Sequence, residues 1–309
     1  VPHLFLPIAG ISVNIFVLLG LGLVVGFLSG LFGVGGGFLL TPLLMMIHVP
    51  PTVAAASDAN QIVAASTSGT FAHWRLGNVD FKMGTILVAG GILGGTLGVQ
   101  LIKVLRAAGN ADPIIKITYV VMLGLVGSYM FQESLRNLRP QRRAMRIKAK
   151  REETPWFERF NESLPFAMQF DKSGVRLSIF TPLLLGTLVG VLAAVMGVGG
   201  GFIMVPVMIY MLRMPMHVVV GTSLFQVLCT CINVTFMQSL YNHTVDLMLA
   251  LLLLIGSTAG AQIGAQIGSR MKADQLKIIL ASIVLIVMMN MALELVLPPK
   301  VLLSVHGGH

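Results

Sequence analysis

The chain has 309 residues, of which 55% are hydrophobic and only 11% charged, with a formal net charge of +9 and a mean hydropathy of +0.87. A soluble domain carries about 25% charged residues, so a soluble fold is excluded. Apolar runs of this length also exclude barrel strands, which leaves an all-α polytopic membrane protein.

The first 57 residues contain no Asp, Glu, Lys or Arg. No basic segment with a small-residue cleavage site precedes the first apolar run, so no cleavable signal peptide is expected. That run, 11–32, ends at Gly33-Val34-Gly35-Gly36-Gly37-Phe38. A short piece follows over 37–48, closed by Pro50-Pro51. Consecutive glycines disfavour helix by about 1 kcal/mol each. The piece after them is about 18 Å long as helix, too short to cross a core of about 30 Å upright, and reads as a half-helix. Further runs cover 52–73, 83–105 and 114–133, and then a polar segment, 136–176. The second series runs 178–196, 201–212, 216–240, 247–269 and 277–297, broken at Gly197-Val198-Gly199-Gly200-Gly201-Phe202.

The second series repeats the first. An offset of 164 carries Gly33–Phe38 onto Gly197–Phe202 and Pro42 onto Pro206. Slightly larger offsets carry Gln61 onto Gln226, Asp80 onto Asp246, Gly90, Gly94 and Gly98 onto Gly256, Gly260 and Gly264, and Gln100 onto Gln266. The expected organisation is a first membrane repeat at 1–135, a basic linker at 136–176 and a second repeat at 177–309. Each repeat has about five hydrophobic helical segments, for some eight to ten crossings. The linker holds 11 of the 21 Lys and Arg residues, so it is expected in the cytoplasm of a bacterial inner-membrane protein. An odd number of net crossings per repeat makes the two repeats inverted, with their glycine-broken half-helices meeting near the midplane. Lys103 and Arg106 fall on the outer side in this scheme, against the charge rule.

Irregular backbone at membrane depth is tolerated where it lines a cavity. The first N–H groups of a half-helix lack partners and carry part of the positive dipole end, and glycine lets an anion approach them. The candidate binding residues are therefore Gly35, Gly36, Gly37 and Phe38 with Gly199, Gly200, Gly201 and Phe202. Nearby polar side chains join them: Ser57 and Gln61 from the first repeat, Thr222, Ser223 and Gln226 from the second. Amides and hydroxyls hold an anion without an opposing buried charge, so it can leave again. Asp58 is the only acid well inside a predicted span and is a candidate proton-coupling group. Asp80 and Asp246 read as helix N-caps, and the six spaced glycines as close-packing faces. No metal site is expected, because no His or acid lies near Cys229 and Cys231 to complete one. No motif calls for a cofactor or for nucleic acid. Membrane lipid is the partner expected beside the basic linker. No motif sets the oligomeric state.

The stretches GVGGGFLLTPLL and GVGGGFIMVPVMIY, with PMHVVVGTSLFQ and NHTVDLMLALLLLIGSTAGAQIG, resemble the sulfite exporter TauE/SafE family of membrane permeases. The resemblance covers about residues 15–297, and the segment TPWFERFNESLPFAMQF is similar to the linker of the bacterial sulfite-exporter type. It implies transport of a small sulfur-containing anion such as sulfite or sulfoacetate. The first repeat departs from the pattern, having Ala56-Ser57-Asp58-Ala59 where the second has Gly221-Thr222-Ser223-Leu224. The expectation is a secondary transporter exporting such an anion; an anion channel or an uptake permease is the alternative. The absence of H-E-x-x-H, G-x-S-x-G or a clustered acid pair argues against an enzyme.

Overall fold

The structure, a computed structural model, describes residues 3–32, 37–137, 165–268 and 273–296. The linker's basic residues from Arg139 to Arg159, and Arg270 and Lys272, lie outside the described residues. The elements follow the apolar runs closely. In the first half they are α1 (Ile15–Phe32), α2 (Gly37–Met46), α3 (Pro51–Arg75), α4 (Phe81–Ala107) and α5 (Ala111–Asn137). The second half supplies α6 (Phe180–Met196), α7 (Gly201–Pro206), α8 (Met216–Met237), α9 (Leu247–Gly268) and α10 (Ala273–Val296). Prolines set several boundaries. Pro51 opens α3 at the position where a missing N–H is harmless. Pro206 cannot donate to the Phe202 carbonyl one turn back, and the chain continues as a π-turn, Val207–Met211.

Two helix pairs exchange halves. The first half's α1 packs along the second half's α9, and the second half's α6 packs along α4. Helices α3 and α8 pack on each other, as do α5 and α10. The exchanged pairs approach so closely that side chains are excluded. A Cβ on Gly90 would overlap the Leu183 carbonyl, and one on Gly94 the Thr187 carbonyl. In the other pair, Gly256 and Gly260 face the Leu19 and Leu23 carbonyls in the same way. The predicted small-residue faces are thus helix interfaces.

The chain is mostly helical, but two β-hairpins correct the expectation of a purely helical fold. Strands β1 (His3–Leu6) and β2 (Ile11–Asn14) pair antiparallel, as do β3 (Ala167–Phe170) and β4 (Val175–Ser178). All four strands obey the same offset of 164, and both turns close with a glycine at φ 67° (Gly10 and Gly174). Each hairpin docks on the other half. The β1–β2 turn donates Ile8 N–H to Asp246 at 3.2 Å, and the β3–β4 turn donates Ser173 N–H to Asp80 at 3.1 Å. Both aspartates are also the predicted N-caps. Asp80 accepts from Met83 N–H at 3.1 Å and Asp246 from Leu249 N–H at 3.2 Å. Asp80 is buried, so Asp80→Ala strands the Met83 and Ser173 N–H groups and the Ser173 hydroxyl. At about 1–3 kcal/mol per stranded donor, partly relieved by relaxation, a loss of about 2–4 kcal/mol is expected in detergent thermal unfolding. Asp80→Ser, which keeps a capping oxygen, should lose about half of that.

Among the described residues three segments are long and apolar enough to cross a membrane: Phe81–Ala107, Ala111–Tyr129 and Val218–Asn242. Ile15–Leu28, Gly37–Met46, Phe180–Met196, Leu247–Gly260 and Ala281–Leu293 are apolar over shorter lengths. Leu93, Leu97, Leu125, Leu188, Ile255 and Ile286 are exposed, giving the apolar exterior that lipid requires. The contrary basic residues also find a place. Arg106 donates to the Asn242 carbonyl at 2.6 Å, and the Lys103 ammonium sits 5.4 Å from the Tyr241 ring centre. Both are held by the neighbouring Tyr241–Asn242 segment, which gives the end of α4 a use for its two cations.

Candidate functional site

Helix α6 stops because Gly197 turns left-handed at φ 74° and returns its N–H to the Ala193 carbonyl at 2.7 Å. Gly199 and Gly200 are left-handed as well, at φ 69° and 75°, and they re-aim the chain into α7. The first bonds that close α7 come from the Ile203 and Met204 N–H groups to the Gly200 carbonyl. The N–H groups of Gly201 and Phe202 precede that first closed turn. In the first half, Gly35 and Gly36 lie outside the described residues; Gly37 is the buried first residue of α2.

The two helix starts meet. The rings of Phe38 and Phe202 stack with centres 5.4 Å apart and planes 25° from parallel. Ile62 of α3 reaches both segments: a Cβ on Gly37 would overlap its Cδ1, and one on Gly199 would lie 3.3 Å from its Cγ2. Val227 and Cys231 of α8 also lie against Gly199.

The polar candidates divide into two kinds. Ser57 accepts from the Asp246 N–H at 3.3 Å, and Thr222 from the Asp80 N–H at 3.0 Å. These hydroxyls tie each half to the other half's capping aspartate. Ser223 turns its hydroxyl back to the Val220 carbonyl of its own helix at 3.1 Å. Gln61, Gln226 and Asp58 are different. The Gln61 amide nitrogen donates to Ser257 at 2.7 Å and that of Gln226 to Thr230 at 3.1 Å. The Thr41 hydroxyl donates to Asp58 Oδ2 at 2.6 Å. All three side chains are buried, and the remaining oxygen of each has no partner among the described residues. Buried polar atoms are seldom left so. Asp58 Oδ1 lies at the start of α2, where a Cβ on Gly37 would be 3.3 Å from it.

The family model for the sulfite exporter TauE/SafE matches residues 18–291. The chain belongs to that family. It is similar over 270 residues, at 29% identity, to a probable membrane transporter protein of Bacillus subtilis, YjnA, covering 86% of this chain and 95% of that protein. A second, YunE from the same organism, is 24% identical over 281 residues, 88% of this chain and 94% of the relative. A shorter match joins 33% of this chain to 22% of sulfite exporter TauE/SafE family protein 2 of Arabidopsis thaliana, at 29% identity. No solved structure matches. This TauE/SafE chain is therefore a membrane transporter.

Several residues around its helix starts escape a reading of the sequence. Tyr119 of α5 is buried, donates its hydroxyl to the Met196 carbonyl at the end of α6, and neighbours Thr41. Thr41 stands beside Pro42 in an apolar half-helix, and an isolated hydroxyl there was a signal available in the sequence. Ser257 replaces the glycine of the first repeat, Gly91, at the matching position, and Gly91 itself lies against Thr230 and Gln226. That small-for-polar exchange marks the face of α9 turned to Gln61.

Proposed function

We propose that this transporter exports a small sulfur oxyanion, sulfite or an organosulfonate such as sulfoacetate, across the bacterial inner membrane. The anion is held between the two helix starts, by the N–H groups of Gly35–Phe38 and Gly199–Phe202 and by the amides of Gln61 and Gln226. The observation that carries the reading is the stacking of Phe38 on Phe202, which joins two segments 164 residues apart at one point. Two dipole ends facing one anion would favour it by about 0.3–2 kcal/mol each, and charge-assisted hydrogen bonds would add to this. The exchange of α1 with α9 and of α6 with α4 supports two repeats related by a two-fold axis; the odd number of crossings expected per repeat puts that axis in the membrane plane. The hairpins support it too, since each one docks on the other repeat's capping aspartate. In this arrangement residues 1–135 and 177–309 are the repeats and 136–176 is a cytoplasmic linker. Energy comes from gradients, as no nucleotide-binding motif is present in the sequence.

The test is flux in liposomes loaded with sulfite, sulfate or sulfoacetate. Saturable uptake that is accelerated by unlabelled anion on the far side is the expected result. Non-saturating, passive flux would make the protein a channel, and no flux of any of the three would remove the anion reading.

A further inference from the structure

Asp58 has no counterpart in the second half, where Ser223 stands at the matching position. Its carboxyl is buried; Oδ2 accepts from Thr41 and Oδ1 has no partner among the described residues. Oδ1 points at the start of α2, where a Cβ on Gly37 would lie 3.3 Å from it. Among the described residues, no positive charge is brought to it. Tyr119 of α5 and Cys231 of α8 are the titratable groups that face it. The other titratable residues of α8 are His217 and Cys229, and α2, α6 and α9 have none. His73 and Arg75 on α3 itself are about four turns away.

We propose that the anion binds together with one proton on Asp58, so that the transporter carries the two in the same direction. This rests on the reading of the helix starts as the anion site. The ionised carboxylate is itself an anion at the positive end of α2, beside the place a substrate oxygen would take. Two unit charges about 4 Å apart at an effective dielectric of about 20 repel enough to weaken binding on the order of a thousandfold. The protonated carboxyl removes that repulsion, and its O–H becomes a further donor to the bound oxyanion. The proton is taken from solution on the side where the anion enters and returned on the side where it leaves. No redox or covalent step is involved. The asymmetry of the pair follows: one proton site serves one anion, so the second half needs only a hydroxyl at this position.

The test is calorimetric titration of the purified, full-length protein with sulfoacetate between pH 6 and 8, in buffers of different ionisation enthalpy. Sulfoacetate keeps its charge over this range, so proton uptake belongs to the protein. Wild type is expected to take up about one proton per anion and to lose affinity by up to tenfold per pH unit as the carboxyl ionises. Asp58→Asn keeps a donor without a titrating group, so its proton uptake and its pH dependence should both vanish. Asp58→Ser, which installs the second half's residue, should behave the same way and keeps the test open if the asparagine variant does not fold. Wild-type binding without proton uptake, or unchanged uptake in a folded Asp58 variant, would overturn the inference while leaving the anion site intact. An absence of binding at every pH would overturn the anion site and this inference with it.

Discussion

Replacing Gln61 and Gln226 together by leucine should abolish sulfite flux in liposomes, with a loss on the order of a hundredfold to ten-thousandfold in affinity. Each amide has one end bonded to a neighbouring hydroxyl and the other end buried without a partner among the described residues. An amide's oxygen and nitrogen are interchangeable in shape. With the amide reversed, Ser257 or Thr230 donates to the carbonyl oxygen, and the NH₂ group points to the open position. Two such donors to a dianion contribute about 1.5–3 kcal/mol each. Leucine nearly preserves the volume, and Ser257 already has the Leu254 carbonyl as an alternative acceptor at 3.2 Å. The variant should therefore fold, with detergent melting close to wild type. Each single variant should lose part of the affinity, and a double variant with normal flux would place the anion elsewhere.

Gly197→Ala is expected to prevent assembly of the native fold. Two effects add. At φ 74° an alanine sits in the left-handed region, which disfavours a non-glycine residue by roughly 1–2 kcal/mol. The new methyl group would also overlap the carbonyl of Ala55, a backbone atom of α3 that cannot rotate away. Overpacking against backbone typically adds about 1–3 kcal/mol and here would push α3 off the end of α6. The measurement is the monodisperse yield in detergent and its melting temperature. Gly109→Ala is the control: it is left-handed at φ 72° but has nothing near its Cβ, so it should show the backbone strain alone. Equal behaviour of the two variants would mean that α3 does not bear on the Gly197 turn.

The helical segments were legible because membrane spans are long uniform apolar runs, and their ends carry Gly or Pro. The left-handed turn at Gly197 and the caps at Asp80 and Asp246 follow from residue type in the same direct way. Ser57 and Thr222 show where such reading stops. A hydroxyl in an apolar run looks alike whether it faces a ligand or a neighbouring helix end. Only the exchange of helices between halves reveals that these two hold the other half's capping N–H. The hairpins were missed because four-residue strands make too short a pattern, and the second lies beside a strongly basic segment whose charge dominates its composition. Tyr119 was missed because its partner, the Met196 carbonyl, is a backbone atom 77 residues away.

The hairpin docking also has a consequence for biosynthesis. The β1–β2 turn is made before its acceptor, Asp246, which lies 238 residues further along the chain. The first half must therefore enter the bilayer with the β1–β2 hairpin undocked, its α1 lacking α9, and the cap of α4 waiting for Ser173. Neither half presents a finished surface to lipid before the other arrives, and late long-range closure of this kind slows folding. The two halves are consequently one cooperative unit whatever their origin as a duplication. If the chain is cut within 138–164 and the halves are produced together, each should find the other, whereas either half produced alone should be degraded.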